Sequence, residues 1–415
     1  MTIRGMAPFA LICFWPIVSF AIQQVPQQIT VNGHSATLQV PTGTVVEFMA
    51  AMNSPRFLTI GPDNELIVGS RVVSGSSNIY RLASPYANAA ILATLPGNFH
   101  SVSYRQGTLF AAETDGLWRA AYKGLSTALG AGDFTEYVDL PSATGGHSSR
   151  TVIVGPDGTL YVSIGISGNC SDEYLAGRLP DYDFEYRRGG VFRINESGGS
   201  AVLEPLSSGL RNPVGMAFDP ASNFLWATNA GPDNLGYNQP PEIFSRLTRG
   251  SFHGMPWFQF MNGTFQVGQC IDTGTAPRPA GEATPPAVTF DARSTPLGVA
   301  FVTGSSLGPL FSGNALACIH GSWATDPSRG GGAETRRPPK VVMVNFSGSL
   351  PTTVEDVIIG FQRNDGSRFA RPCGALMGPD GHFYFTSDGG EVQGLFRLRK
   401  KRADAAIINL LLLQE

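Results

Sequence analysis

Charge is scarce in this sequence. Lys, Arg, Asp and Glu make up 15% of its 415 residues, well below the roughly 25% of an average soluble domain. The 29 basic and 32 acidic side chains leave a net charge of −3. No Lys/Arg run is longer than Arg399–Arg402, so the electrostatic footprint of a nucleic-acid binder is missing. Long segments of helical periodicity are missing too. The 50 Gly and 30 Pro break helices and make turns, which excludes a helical bundle or coiled coil. There is no CxxC and no His/Cys cluster at zinc spacing, so a structural zinc site is excluded. The GxSxG elbow, a GxGxxG after a strand and the P-loop are all absent, which argues against nucleotide cofactors. What is present is apolar: 42% hydrophobic residues and 10% aromatics suffice for a large core and rule out wholesale disorder.

The one long apolar run near the start belongs to residues 1–21, which read as a signal peptide. Arg4 supplies the positive n-region, Met6–Phe20 is apolar apart from a Ser, and Ser19-Phe20-Ala21 offers small residues for cleavage. The run is short for a bilayer span and ends in the polar Gln23–Gln28 stretch, so no membrane span is expected after cleavage. Secretion and an extracellular location follow as expectations. Cys13 leaves with the leader; Cys170, Cys270, Cys318 and Cys373 remain, and four cysteines allow three full disulfide pairings. Asn169, Asn195, Asn262 and Asn345 begin glycosylation sequons, consistent with a secreted glycoprotein. Residues 401–415 form a C-terminal tail whose apolar run Ala405–Leu413 is too short to span a membrane.

One pattern recurs six times: an apolar run, a turn, a strand, a loop and a closing strand. The third copy reads Val152-Ile-Val-Gly-Pro-Asp-Gly-Thr-Leu-Tyr-Val and closes with Val191-Phe-Arg-Ile; the sixth reads Gly374-Ala-Leu-Met-Gly-Pro-Asp-Gly-His-Phe-Tyr-Phe and closes with Leu395-Phe-Arg-Leu. Gly-Pro-Asp-Gly is turn chemistry, and the flanking β-branched and aromatic runs suit strands. A single four-stranded blade cannot bury both of its faces, so the copies must close around an axis. An all-β, six-bladed β-propeller over residues 22–400 is predicted, with long loops gathered at one axial mouth. The longest insertions are Asn169–Gly190, Ala227–Glu282 and Ser322–Lys340, and function is expected there.

The polar residues at the blade entrances are the candidates for chemistry. His147, in a Gly-flanked segment before the third strand run, suits a general base. Arg211-Asn212 precedes the fourth, with a planar fork for carboxylates beside a donor and acceptor. Ala230-Gly-Pro-Asp-Asn234 is rich in the oxygens that hard cations take. His320-Gly-Ser-Trp323 ends a strand, and Arg336, Arg337, Lys340, Arg368 and Arg371 recur at matching points of the fifth and sixth copies, able to converge on an acidic cofactor.

Together, Gly146-His-Ser-Ser-Arg, Gly209-Leu-Arg-Asn-Pro, Pro241-Glu-Ile-Phe with His253-Gly-Met-Pro-Trp, Leu316-Ala-Cys-Ile-His-Gly-Ser-Trp and Arg371-Pro-Cys-Gly resemble the pyrroloquinoline-quinone (PQQ)-dependent sugar dehydrogenases. The resemblance is to the fungal pyranose dehydrogenase and sorbosone dehydrogenase-like branch of the soluble quinoproteins. It implies a secreted enzyme that oxidises pyranoses or related aldoses, with PQQ and Ca²⁺ at the axial mouth and hydride passing to the quinone. It makes His147 the catalytic base with Arg211 beside it, and Arg211, Asn212, His320, Trp323, Lys340 and Arg371 the cofactor-binding set. It also gives Gly231 and Pro232 as main-chain Ca²⁺ ligands. The implied partners are a sugar substrate and an external electron acceptor, a cytochrome domain or another secreted redox protein. The sequence departs from the bacterial relatives at Val214, where they carry Gln after Asn-Pro, and in the Gly330-Gly-Gly loop before Lys340. The competing readings are a Ca²⁺-dependent, lactonase-like propeller hydrolase and a catalytically inactive extracellular binding propeller.

Overall fold

The computed structural model describes residues 21–141, 146–170, 188–233, 235–268, 273–304 and 306–401. Residues 1–20 and 402–415, Cys270 and most of the insertion after Asn169 lie outside the described residues.

Three strands precede the first repeat: β1 (Gln24–Val31) and β2 (His34–Pro41) pair as a hairpin, and β3 (Thr44–Ala51) is set aside for the closure. Blade I is β4 (Pro55–Ile60), β5 (Leu66–Ser70), β6 (Ser76–Leu82) and β7 (Ala90–Pro96). Blade II is β8 (Ser101–Arg105), β9 (Thr108–Ala112), β10 (Gly116–Ala121) and β11 (Thr135–Asp139). Blade III holds β12 (Arg150–Val154), β13 (Leu160–Ile164), β14 (Gly190–Asn195) and β15 (Val202–Ser208). Blade IV holds β16 (Gly215–Phe218), β17 (Leu225–Asn229) and β18 (Glu242–Leu247). Its insertion adds the two-residue strand β19 (Ser251–Phe252), parallel to β15, and the hairpin of β20 (Phe258–Met261) and β21 (Thr264–Val267), before β22 (Val288–Phe290) completes the blade. Blade V is β23 (Pro296–Phe301), β24 (Ala315–Ile319), β25 (Lys340–Ser347) and β26 (Leu350–Ile358). Blade VI takes β27 (Pro372–Met377), β28 (Phe383–Ser387) and β29 (Gly394–Lys400) from the end of the chain and β3 from its beginning. The predicted six-bladed propeller is thus the observed fold.

The six repeat starts are the six inner strands, and the antiparallel register fixes which ends share a face. Arg150 at the start of β12 pairs with Ile164 at the end of β13, and Gly215, Pro296 and Pro372 pair likewise with Thr228, Ile319 and Ser387. Segments entering an inner strand and loops leaving the second strand therefore surround one mouth. The Gly-Pro-Asp turns lie at the other end, where Asp157 Oδ1 accepts the Thr159 N–H at 2.9 Å and Gly158 takes a φ of 84°. A cavity of about 350 Å³ at that opposite end is lined by the last residues of all six inner strands, among them Thr59, Tyr104, Val154, Phe218, Phe301 and Met377. Phe57, Val214, Leu297 and Cys373 pack together as a buried apolar cluster on four of the inner-strand segments. Cys318 and Cys373 are buried free thiols.

Neighbouring blades are stitched by the fourth residue of the second strand. Thr228 Oγ1 accepts the Gly215 N–H of its own blade at 3.1 Å and donates to Leu297 O of the next at 2.7 Å. Thr386 repeats this with Gly374 N at 2.8 Å and Arg56 O at 2.6 Å. Cys318 occupies the same register and its Sγ reaches Gly374 O at 3.5 Å. Each hydroxyl satisfies two buried main-chain groups. Thr386→Val keeps the shape and leaves both unpaired, so the urea midpoint should fall by the equivalent of about 1–3 kcal/mol; an unchanged midpoint would show that the stitch contributes nothing.

Candidate active site at the axial mouth

His147 enters the site on a residue with φ of 53°, in the segment leading into β12. Its Nδ1 lies 2.6 Å from Ile166 O. A carbonyl only accepts, so Nδ1 carries the proton and Nε2 keeps its lone pair. The His147 carbonyl is gripped by Arg150 Nη1 at 2.9 Å and Arg188 Nη2 at 3.3 Å, and Arg188 Nε also donates to Gly165 O at 2.8 Å. Gly165 is the point of closest approach. A Cβ there would sit 2.5 Å from Asn212 Oδ1 and 2.9 Å from His147 Cβ, so only glycine lets these two side chains flank one strand end. Burial, then the positive charge of Arg211, pushes the His147 imidazole down to about 4. The ring is neutral at ordinary pH and ready to take a proton.

Arg211 is buried beside it. Its Nε donates to Asn169 O at 3.0 Å, its Nη2 to Asn169 Oδ1 at 3.0 Å and its Nη1 to Ala230 O at 3.3 Å; Asp233 stands 3.5 Å away. Arg293 meets the other oxygen of Asp233 at 2.7 Å. Asn212 receives its orientation through its main-chain N–H, which donates to Asn229 Oδ1 at 2.9 Å. Gly231 and Pro232 follow directly after β17, and the Gly231 N–H donates to the Glu242 carboxylate. Glu242 is buried, and desolvation raises its carboxyl to about 7. Among the described residues no group of three or more His, Cys, Asp or Glu side chains is placed to hold a metal; the oxygens on offer there are mainly those of the main chain.

The opposite rim is built around Asp388, at the end of β28. Arg56 Nη1 donates to its Oδ2 at 2.7 Å and His320 Nε2 to its Oδ1 at 2.6 Å. Against its burial, the His320 hydrogen bond and the charges of Arg56 and Arg371 hold the Asp388 carboxyl far below the usual carboxylate range. Burial pushes His320 down to about 4, so the neutral ring donates Nε2–H. Arg371 binds the carbonyls of His320 at 3.1 Å and Gly321 at 3.0 Å, and its guanidinium lies 4.4 Å over the Trp323 ring. Arg56 Nη2 reaches Ser149 Oγ at 3.4 Å, which joins this rim to the His147 segment.

The structure therefore brings together His147, Arg211, Asn212 and Gly231–Pro232 on one side of the mouth and His320, Trp323 and Arg371 on the other. Lys340 is not part of either group. Its Nζ is held by Asp356 at 2.7 Å with Asp291 at 3.8 Å, in a cleft between blades IV and V. Sequence reasoning missed Arg56, Asp388, Arg188 and Glu242. Arg56 had a visible signal, since it precedes the first repeat as Arg371 precedes the sixth.

The family model of glucose/sorbosone dehydrogenases matches residues 101–319, just over half of the chain, and the chain belongs to that family. The holo form of the pyranose dehydrogenase PQQ domain from Coprinopsis cinerea superposes with a TM-score of 0.68 at 18% identity, over 88% of this chain and 97% of that one. A calcium structure of a Trichoderma reesei carbohydrate-active enzyme of family AA12 gives 0.67 at 17% identity, over 87% and 96%. An uncharacterised protein of Borreliella burgdorferi is 24% identical over 372 residues, 86% of this chain and 89% of its own.

The charge of Arg211 is one cause of the low His147 value, so Arg211→Gln should raise the His147 titration midpoint above about 4 toward 6.5. Histidine NMR titration reads this directly. A midpoint that stays put in the variant would mean burial alone sets it.

Proposed function

We propose that the chain is a secreted PQQ-dependent dehydrogenase that oxidises pyranoses or related aldoses. The observation that carries this reading is the neutral, rigidly held His147, whose Nε2 has no partner among the described residues, beside Arg211 and Asn212 in a chain of the glucose/sorbosone dehydrogenase family. The residues fit the groups the family implies. Arg336, Arg368 and Arg371 crowd one aromatic face, and among the described residues none pairs with a carboxylate, a donor set that suits the three carboxylates of PQQ. Carbonyls of Gly231 and Pro232 beside a buried carboxyl suit Ca²⁺, which takes main-chain oxygens readily. The quinone supplies the acceptor for the hydride that leaves the anomeric carbon.

The chain's own residues do the rest. His147 Nε2 takes the proton of the anomeric hydroxyl, while the Nδ1–H bond to Ile166 O fixes the ring and stabilises the cation that forms. Arg211 and Asn212 orient the oxygens of substrate and cofactor, and Arg211 is held rigid by three acceptors of its own, so little reorganisation is needed on reaction. The proposed secretion and its glycans rest on the leader and the sequons, of which Asn262 is exposed on the β20–β21 turn. With Cys318 and Cys373 free, Cys170 and Cys270 are proposed as the one disulfide pair. An external electron acceptor completes the cycle.

Titration of the protein with PQQ and Ca²⁺, followed by absorbance and by reduction of an artificial acceptor, tests the reading; no aldose-dependent reduction in any loaded sample would sink it. His147→Ala should lower turnover by at least about 10²-fold with PQQ affinity little changed. A base with a pKa near 4 is protonated only below that value, so the acid limb of the free-enzyme pH profile should fall near 4; a limb near 6.5 would contradict the assignment. Chelated protein should be inactive and recover with Ca²⁺ better than with Mg²⁺, which demands tighter octahedral geometry.

A further inference from the structure

The cations of the mouth divide into two groups. Arg211 and Arg293 meet Asp233, Arg56 meets Asp388 and Lys340 meets Asp356. Among the described residues, Arg336, Arg368 and Arg371 are bound only to carbonyl and amide oxygens. Arg336 Nε donates to Trp323 O at 3.2 Å, and Arg371 to the carbonyls of His320 and Gly321. Arg368 donates from Nε to Gln362 Oε1 at 3.2 Å and from Nη2 to Ser322 O.

Arg368 Nη1 is buried and has no acceptor among the described residues. An unmet buried donor destabilises the fold, the more so when it is charged. Burial and the neighbouring like charges push both Arg368 and Arg371 down to about 10. Above them lies Trp323, 71% exposed, with Arg371, Arg368 and Arg336 at 4.4, 5.5 and 5.7 Å from its ring. An aromatic face at an exposed site balances a guanidinium only weakly. The cluster's demand for negative charge is therefore largely unmet.

We propose that Arg368 and Arg371, roofed by Trp323, form the seat for a carboxylate of the cofactor, and that Lys340 takes no part in it. The proposal rests on the quinone reading above and deepens it. Lys340 was the residue the family pattern pointed to, but Asp356 and Asp291 already neutralise it. The guanidinium fork of Arg368 suits a planar carboxylate in a way a lysine ammonium does not.

Isothermal titration of the full chain with PQQ in Ca²⁺ buffer tests this without recourse to activity. Arg368→Gln should weaken binding about 10- to 100-fold, the loss of a charge-assisted bond, and Lys340→Gln should change it less than about twofold. Thermal melts separate a lost contact from a lost fold. Should Arg368→Gln not fold, Arg368→Lys replaces it, with an intermediate loss expected. Wild-type affinity in the Arg368 variant, or a large loss in Lys340→Gln, overturns the proposal. Benzene-1,3,5-tricarboxylate serves as the second probe. If wild-type protein ignores PQQ but binds this triacid in an Arg368-dependent way, the seat stands and the quinone reading falls. If it binds neither, both fall.

Discussion

One buried carboxylate holds the mouth together. Asp388 lies at the seam where the ring closes, on the blade that takes β3 from the start of the chain and β27–β29 from its end. It binds Arg56 of blade I and His320 of blade V, so three blades meet at one side chain. Breaking such a pair by removing one partner typically costs about 3–5 kcal/mol, because the other charge is left buried. Its neighbours hold the Asp388 carboxyl far below the usual carboxylate range, so the tie is ionised at ordinary pH. Arg371 then binds the His320 and Gly321 carbonyls, and the rim is rigid before any ligand arrives.

That rigidity sets the electrostatics of the site. On the His147 side, Arg211 and Arg293 share the carboxylate of Asp233. Burial and the charges of Arg211 and Arg188 hold the His147 imidazole neutral at ordinary pH. On the Trp323 side, Asp388 is taken by Arg56 and His320, and Arg336, Arg368 and Arg371 pair with no carboxylate among the described residues. The mouth is thus polarised, with a proton acceptor on one rim and unmatched cations on the other. Such a division suits a reaction in which a proton leaves one end of the substrate while a rigid polyanion is held at the other side.

Much of this was legible in the sequence, and the limits were physical. The six inner strands could be read because each is an apolar run followed by strong turn chemistry, as in Gly155–Gly158 and Gly378–Gly381. The outer strands could not. β7, β11 and β26 alternate irregularly between buried and exposed residues, and β3 joins a blade some 350 residues away in sequence, with Glu47 opposite Arg397. Local pattern carries no signal for either. In the site, His147, Arg211 and Arg371 were visible because they stand at blade entrances. Asp388 was hidden as an ordinary loop carboxylate after a strand, and the pairing of Lys340 with Asp356 and Asp291 between two blades leaves no local trace in the sequence.

The glycines and small residues of the mouth show how fold and chemistry share the same backbone. Gly165 ends β13 where any side chain would strike Asn212 and His147, and Gly215 starts β16 where a Cβ would lie 1.8 Å from Leu297 O. The first closeness sets the geometry of a base and its neighbour; the second lets adjacent inner strands pack and be stitched by Thr228. A propeller can place polar side chains from separate blades at one mouth only if the inner strands approach this tightly, since each added methyl would push a blade outward. The interblade stitches and the site geometry are therefore two readings of one constraint: the width of the axis fixes how far His147 stands from Arg371, and the small residues on the inner strands fix the width of the axis.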